Sequence, residues 1–203
     1  VQEISSSRAN SQIPKSGSVN FYLRMYNAEH SYTTPSDFTL QISPVSSPWQ
    51  EGTGLDMDEY SDETRDDLEG ATWLSRSIGQ AWTAVGGDFE PGSSAGPYTA
   101  SFDKGTEDLE LDISELVEQW LASVTASNST VERSNNGVLI KLLGTQEAYH
   151  SSSALTEQGD KYDQDYAENI PFNLTGSKST YYTKKFFSRT SEFFFKRPTI
   201  EAR

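Results

Sequence analysis

Asp56, Asp58 and Asp62 crowd one short acidic stretch, "GLDMDEYSDETRDD". Carboxylates so close together are the raw material of a Ca²⁺ loop. An EF-hand loop needs Gly at its sixth position and Glu at its twelfth. Counted from Asp56, those positions hold Ser61 and Asp67, so only a looser Ca²⁺ site is left. Two such carboxylates could also serve glycoside hydrolysis, but residues of one loop guarantee neither the separation nor the raised acid pKa which that reaction needs. The two histidines, His30 and His150, have no partner at metal-ligand spacing and read as loop or surface residues. "GSSAG", Gly92 to Gly96, matches the G-x-S-x-G of serine hydrolases. That motif requires a strand before it and a helix after it, whereas Pro91 and Pro97 flank it here in a glycine-rich loop. There is no phosphate-cradling loop with its lysine. "NST" at Asn128 and "NLT" at Asn173 are glycosylation-type sequons, short enough to arise by chance. No enzyme activity, cofactor or firm metal site is expected.

The aromatic residues are the stronger signal. Of the four tryptophans, Trp120 lies on a helical apolar stripe and is expected in the core. Trp49, Trp73 and Trp82 sit near glycines and read either as core lids or as a platform on which a sugar ring would stack. The chain closes on "YYTKKFFSRTSEFFFKRPTIEAR", paired and tripled aromatics among basic residues, on a chain whose formal charge is −14. Aromatics interleaved with Lys and Arg can stack nucleic-acid bases, but so acidic a body repels a polyanion. It repels an anionic lipid surface as well. Neither a nucleic-acid nor a membrane partner is expected, and no apolar run approaches the roughly 18 residues of a spanning helix. The simpler reading makes the phenylalanines strand residues. Phe187, Phe193 and Phe195, or their neighbours one place along, would fill a core. Lys184, Lys185, Arg189, Lys196 and Arg197 would face outward or pair with the acidic stretch.

These residues must be positioned by a chain of 203 residues, enough for one β-rich domain with a real core. Cysteine is absent, so no cross-link contributes. A hydrophobic fraction of 34% with 12% aromatic suits a core of few, large side chains. Residues 1–18 are polar and read as an extended arm without a core of its own; residues 19–203 read as one domain. The chain begins at Val1 and stops at Arg203 directly after a strand-like stretch, so a longer parent is expected. In "SVNFYLRMYNA", Val19, Phe21, Leu23 and Met25 alternate with polar residues, predicting a half-buried strand over Ser18–Tyr26. "DFTLQISPV" alternates likewise through Phe38, Leu40 and Ile42 and ends at Pro44. Residues 49–70 read as a solvated acidic loop, and the Gly- and Pro-rich stretch after it as short strands. Ile113, Leu116, Val117, Trp120 and Leu121 form one helical stripe, with Ser114 as N-cap and Glu115 in the first turn. "GVLIKLLG" predicts a short buried strand, and "TIEAR" a final one with Ile200 and Ala202 inward. Many short strands and one short amphipathic helix predict a mainly β chain, an antiparallel β-sandwich.

The order "SPWQEGTGLD", "ATWLSRSIGQAWTAVGGDF", "LELDISELVEQWLA", "NNGVLIKL" and "FFSRTSE…KRPTIEA" resembles the DNRLRE-type domain over residues 19–203. The matching positions are Trp49, Gly52 and Gly54 in a Trp-x-Glu-Gly loop, Trp73 and Trp82, Trp120 ending the helix, Asn136-Gly137 leading into a buried strand, and Arg197-Pro198 opening the last one. The resemblance implies a jelly-roll-like sandwich. The family occurs in secreted and cell-surface bacterial proteins, and some members bind carbohydrate. The tail, the polar texture and the lack of cysteine resemble virion proteins of tailed bacteriophages that carry this domain. The expectation is therefore a non-enzymatic virion module on the capsid surface, neck, baseplate or tail fibre, touching other virion proteins and copies of itself. The alternative is a carbohydrate-binding module, secreted or on a phage adhesin, recognising a host glycan through Trp49, Trp73 and Trp82.

Overall fold

A computed structural model describes residues 2–14, 17–52, 70–72, 75–84, 86–90, 96–125, 133–143 and 183–203. Within them the chain is mainly β, with eight strands in three antiparallel sheets and two short α-helices. The elements are α1 (Gln2–Ala9), β1 (Phe21–Met25), β2 (Phe38–Pro44), β3 (Ser75–Ser77), β4 (Gln80–Ala81), β5 (Tyr98–Phe102), β6 (Leu109–Asp112), α2 (Ser114–Thr125), β7 (Val138–Leu142) and β8 (Thr199–Ala202). One sheet has the order β6-β1-β8 and a second the order β5-β2-β7, while β3 and β4 make a small separate ribbon. Both three-stranded sheets contribute to a single core together with α2, an arrangement consistent with a β-sandwich.

The period of two puts β1 and β2 where the sequence predicts. Phe21 and Leu23 are buried and Met25 half-buried on one face of β1. Phe38, Leu40 and Ile42 are buried along β2. Each is the central strand of its sheet, so its backbone groups are paired on both sides. Phe38 lies opposite Phe102 of β5, their rings stacked 4.9 Å apart, a cross-strand pair of the kind that fixes register. On the outer face of the first sheet, Arg24 of β1 reaches Glu201 of β8 at 2.9 Å and Glu110 of β6 at 3.3 Å. Arg203, just past β8, forks onto Glu110 at 2.8 and 3.0 Å. β7 occurs as predicted but is half-buried along its length rather than buried, because it is an edge strand.

The predicted stripe on α2 is the helix face of the core: Ile113, Leu116, Val117, Trp120 and Leu121 are all buried. The capping chemistry differs from expectation. Asp112 supplies the cap, its Oδ1 accepting from the Ser114 N–H at 2.9 Å. The Ser114 hydroxyl instead accepts from the Phe21 N–H at 2.8 Å, and the Ile113 N–H donates to the Phe21 carbonyl at 2.8 Å. The start of α2 is thereby stitched to the start of β1.

Residues 2–9 are helical, not an extended arm, so the described residues hold two short α-helices rather than one. A polar eight-residue helix is unstable alone, and its reason to form is tertiary. Ile4 and Arg8 lie four positions apart on one face. Ile4 packs against the core, and Arg8 donates through Nη1 to Glu118 Oε2 of α2 at 2.8 Å, a second guanidinium contact reaching the other carboxylate oxygen. The Arg8 guanidinium also lies 5.5 Å from the centre of the Phe21 ring.

Candidate functional site

The closing phrase builds the most distinctive surface among the described residues, and it does so as an arch rather than a pair of strands. Its first foot is an antiparallel bridge between Asn27 and Phe186. The Ala28 N–H donates to the Lys185 carbonyl at 2.9 Å, and the Phe187 N–H to the Tyr26 carbonyl at 3.0 Å. Extended backbone sends successive side chains to opposite sides. Phe186 turns inward against the core, edge-on to Phe102 at 6.2 Å, while Phe187 turns to the other side and meets Phe193 at 5.6 Å.

Lys184 secures this foot. Its Nζ donates to Asn27 Oδ1 at 2.7 Å, to the Gly105 carbonyl at 2.9 Å and to the Glu107 carbonyl at 2.7 Å. The same ammonium lies 4.6 and 4.9 Å from the ring centres of Phe186 and Phe102. Burial pushes its pKa down, against the opposing pull of the Glu107 and Asp108 carboxylates. The turn presenting two of these acceptors depends on Gly105, which has φ +77°; a Cβ there would stand 1.8 Å from the Pro35 carbonyl oxygen. Lys184 is thus a strut inside the fold, which corrects the expectation that it faces outward. Arg189 does pair with the acidic stretch as expected: its guanidinium forks onto Glu51, Nε to Oε1 at 3.0 Å, and holds that carboxyl below its usual pKa.

The crown of the arch is clamped by polar contacts. Ser191 is buried; its N–H donates to the Ser188 carbonyl, and its own carbonyl accepts from Arg197 Nε at 2.8 Å. A short 3-10 turn, Phe194–Lys196, follows. Three residues per turn fan successive side chains about 120° apart, so the rings do not alternate between an inward and an outward face as they would in a strand. Phe193, Phe194 and Phe195 are 55%, 66% and 89% exposed. They do not enter the core, contrary to the sequence expectation for Phe193 and Phe195. Lys196 lies over Phe187 at 4.9 Å and Arg197 over Phe194 at 5.3 Å. Arg197-Pro198 then leads into β8, where the missing proline N–H does no harm. Ile200 packs against the core as expected, whereas Ala202 is exposed.

Beside this ridge opens a cavity of about 530 Å³. Phe187 and Phe193 line it together with charges of both signs, Lys185 and Lys196 against Glu29 and Asp108. Asp108 also accepts from the Asn27 N–H at 2.7 Å, which holds the cavity wall to the foot of the arch.

The tryptophans separate. Trp120 is in the core at 2% exposure. Trp49 is 44% exposed, its indole N–H tied to the Asn136 carbonyl at 2.7 Å just before Gly137 and β7. Trp82 is half-buried and donates to the Thr72 carbonyl at 2.9 Å. Gly52 runs so close to Gly70 that a Cβ on Gly70 would stand 2.6 Å from the Gly52 Cα. Trp73, Gly54, Asp56, Asp58, Asp62, His150, both sequons and Gly92 to Ala95 lie outside the described residues. Among the described residues no cluster of three or more His, Asp or Glu side chains could hold a metal ion, and no helix is long and apolar enough to cross a membrane. Sequence reasoning missed the exposure of the ridge and the role of Lys184. The available signal was the run "FFF" itself, which has neither a two- nor a 3.6-residue period. Comparison of the chain with protein-family models, with curated proteins and with solved structures finds no match.

Proposed function

We propose that the chain is a non-enzymatic structural module of a bacteriophage particle, a DNRLRE-type, jelly-roll-like sandwich that anchors to neighbouring virion proteins. The observation that carries the anchoring role is the ridge Phe193 to Phe195: three adjacent exposed rings, held up by backbone and arginine contacts and beside a cavity. Apolar groups so displayed mark an interaction surface, and burying each ring on a partner is worth about 1.5–3 kcal/mol. The jelly-roll reading draws support from nested strand pairs. β1·β6, β2·β5 and β3·β4 enclose one another, as do β1·β8 and β2·β7, the pattern of a long hairpin folded over on itself. The virion assignment rests on the sequence resemblance and on the ridge, whose contacts a repeating particle would use many times over.

The test is mass spectrometry of purified particles with copy number, alongside incorporation of a Phe194→Ser, Phe195→Ser chain. The reading expects the chain in stoichiometric amount and the variant excluded although folded. Absence from particles, or normal incorporation of the variant, overturns it.

A second reading is favoured by one observation, the exposure of Trp49. A carbohydrate-binding module would stack a host sugar there. Retention on host polysaccharide that Trp49→Ala abolishes, with the ridge variant still retained, would support this reading over the first.

A further inference from the structure

The ridge and the cavity are neighbours that share Phe193, one a projection and the other a recess. A two-fold axis beside such a pair sets each projection against the other copy's recess, so one patch serves as both halves of the contact. We propose that the partner of this surface is a second copy of the chain, docked isologously so that Phe194 and Phe195 of each copy enter the cavity beside Phe187 of the other. The inference rests on the reading of the ridge as an interaction surface and names its occupant.

Charge argues for the same partner. Over the whole chain the formal charge is −14, so two copies repel one another over most approaches. The cavity is the exception: Lys185 and Lys196 are matched by Glu29 and Asp108, so it is locally neutral and carries both signs. A two-fold operation brings the cations of one copy to the anions of the other, Lys196 to Glu29 and, by symmetry, Glu29 to Lys196. A strongly basic partner would meet the two lysines, and a strongly acidic one the two carboxylates. Area is sufficient as well. The exposed parts of three rings in each copy amount to roughly 800 Å² across the pair, and the flanking charged side chains bring the contact to the ~1,200 Å² of a specific interface.

The experiment is sedimentation velocity over a concentration series, with circular dichroism to confirm folding of every variant. The native chain should dimerise, and Phe195→Ser should weaken dimerisation about 30-fold or more, the size of a hot-spot truncation. Lys196→Glu and Glu29→Lys should each be monomeric alone, because each sets two like-charged pairs across the axis. Mixed in equal amounts, the two variants should form a heterodimer, since the mixture restores both opposite-charge pairs. A native chain that stays monomeric, a dimer indifferent to Phe195→Ser, or a mixture that fails to pair overturns the inference. If the native chain is monomeric while the ridge variant is still excluded from particles, the partner is a different virion protein; the anchoring role stands and self-docking falls. If incorporation is also unaffected, both fall.

Discussion

The ammonium of Lys184 sits 2.7 Å from the carbonyl oxygen of Glu107, an acceptor 77 positions earlier in the chain. Two further oxygens and two aromatic rings complete its surroundings. Removing the ammonium strands three acceptors at a partly buried site, a loss of the full desolvation cost rather than of one bond. Lys184→Met is therefore expected to destabilise the protein by about 2–4 kcal/mol. Lys185→Gln, one residue along on the cavity wall, should stay within about 0.5 kcal/mol. Urea unfolding of both variants makes the comparison, and equal midpoints would show that Lys184 is no strut.

Asp88 gives the fold a dependence on acid. Burial raises its pKa, but the Thr83 and Ala84 N–H groups and the Ser47 and Thr83 hydroxyls bind the ionised form, and the net direction is down. A carboxyl depressed in the folded state stabilises above its unfolded pKa, about 3.9 for Asp, and that contribution is lost as pH falls through the folded value. Asp88→Asn should lower the urea midpoint at pH 7, and the gap to the native chain should close as the pH is taken below about 4. A gap independent of pH would mean that the carboxylate is not what those donors hold.

Helix α1 depends on Arg8. With Ile4 as the apolar contact and Glu118 as the polar one, Arg8→Ala leaves an eight-residue polar segment with little to hold it. Amide exchange at Asn10, whose N–H donates to the Ser6 carbonyl, should approach the unstructured rate in that variant, while amides of β2 remain protected. Protection of Asn10 unchanged in Arg8→Ala would show that the helix is held by something else.

Trp120 carries the opposite expectation. It is 2% exposed on the stripe of α2 that closes the core, so Trp120→Ala should cost about 3–5 kcal/mol. A melting temperature within a degree or so of the native chain would be incompatible with the packing described.

What the sequence made legible follows from periodicity. β1, β2 and α2 are central or core-facing, so burial had to write a period of two or 3.6 into Phe21–Leu23, Phe38–Ile42 and Ile113–Leu121. Asp112 took the capping role from Ser114 because the Ser114 hydroxyl was needed by the Phe21 N–H, ninety-three residues away, a demand no local pattern records. α1 was illegible for a related reason: its helix exists through Glu118, and its own residues carry only the pair Ile4 and Arg8 to announce it. The tail misled because composition stood in for period. Phenylalanine favours strands, yet Phe193 leads into a 3-10 turn that holds Phe194 and Phe195, with Ser191 and Arg197 bracing its two ends, and all three rings are exposed.

That contrast within the tail supplies the sharpest comparison. Phe186 and Phe195 are the same residue type nine positions apart, one packed against Phe102 and the core, the other 89% exposed. Phe186→Ala should cost about 2–4 kcal/mol, less than a fully buried ring because it is only half-buried, but well outside the range of surface changes. It also removes one of the two rings facing the Lys184 ammonium, so its effect and that of Lys184→Met should fall short of additive in the double variant. Phe195→Ala removes almost no packing within the chain beyond the edge of Phe194, 5.5 Å away, and should leave stability within about 0.5 kcal/mol. Thermal melts of the four variants against the native chain decide it. If Phe195→Ala proved as costly as Phe186→Ala, the ridge would be part of the core after all, and its rings would not be available to a partner.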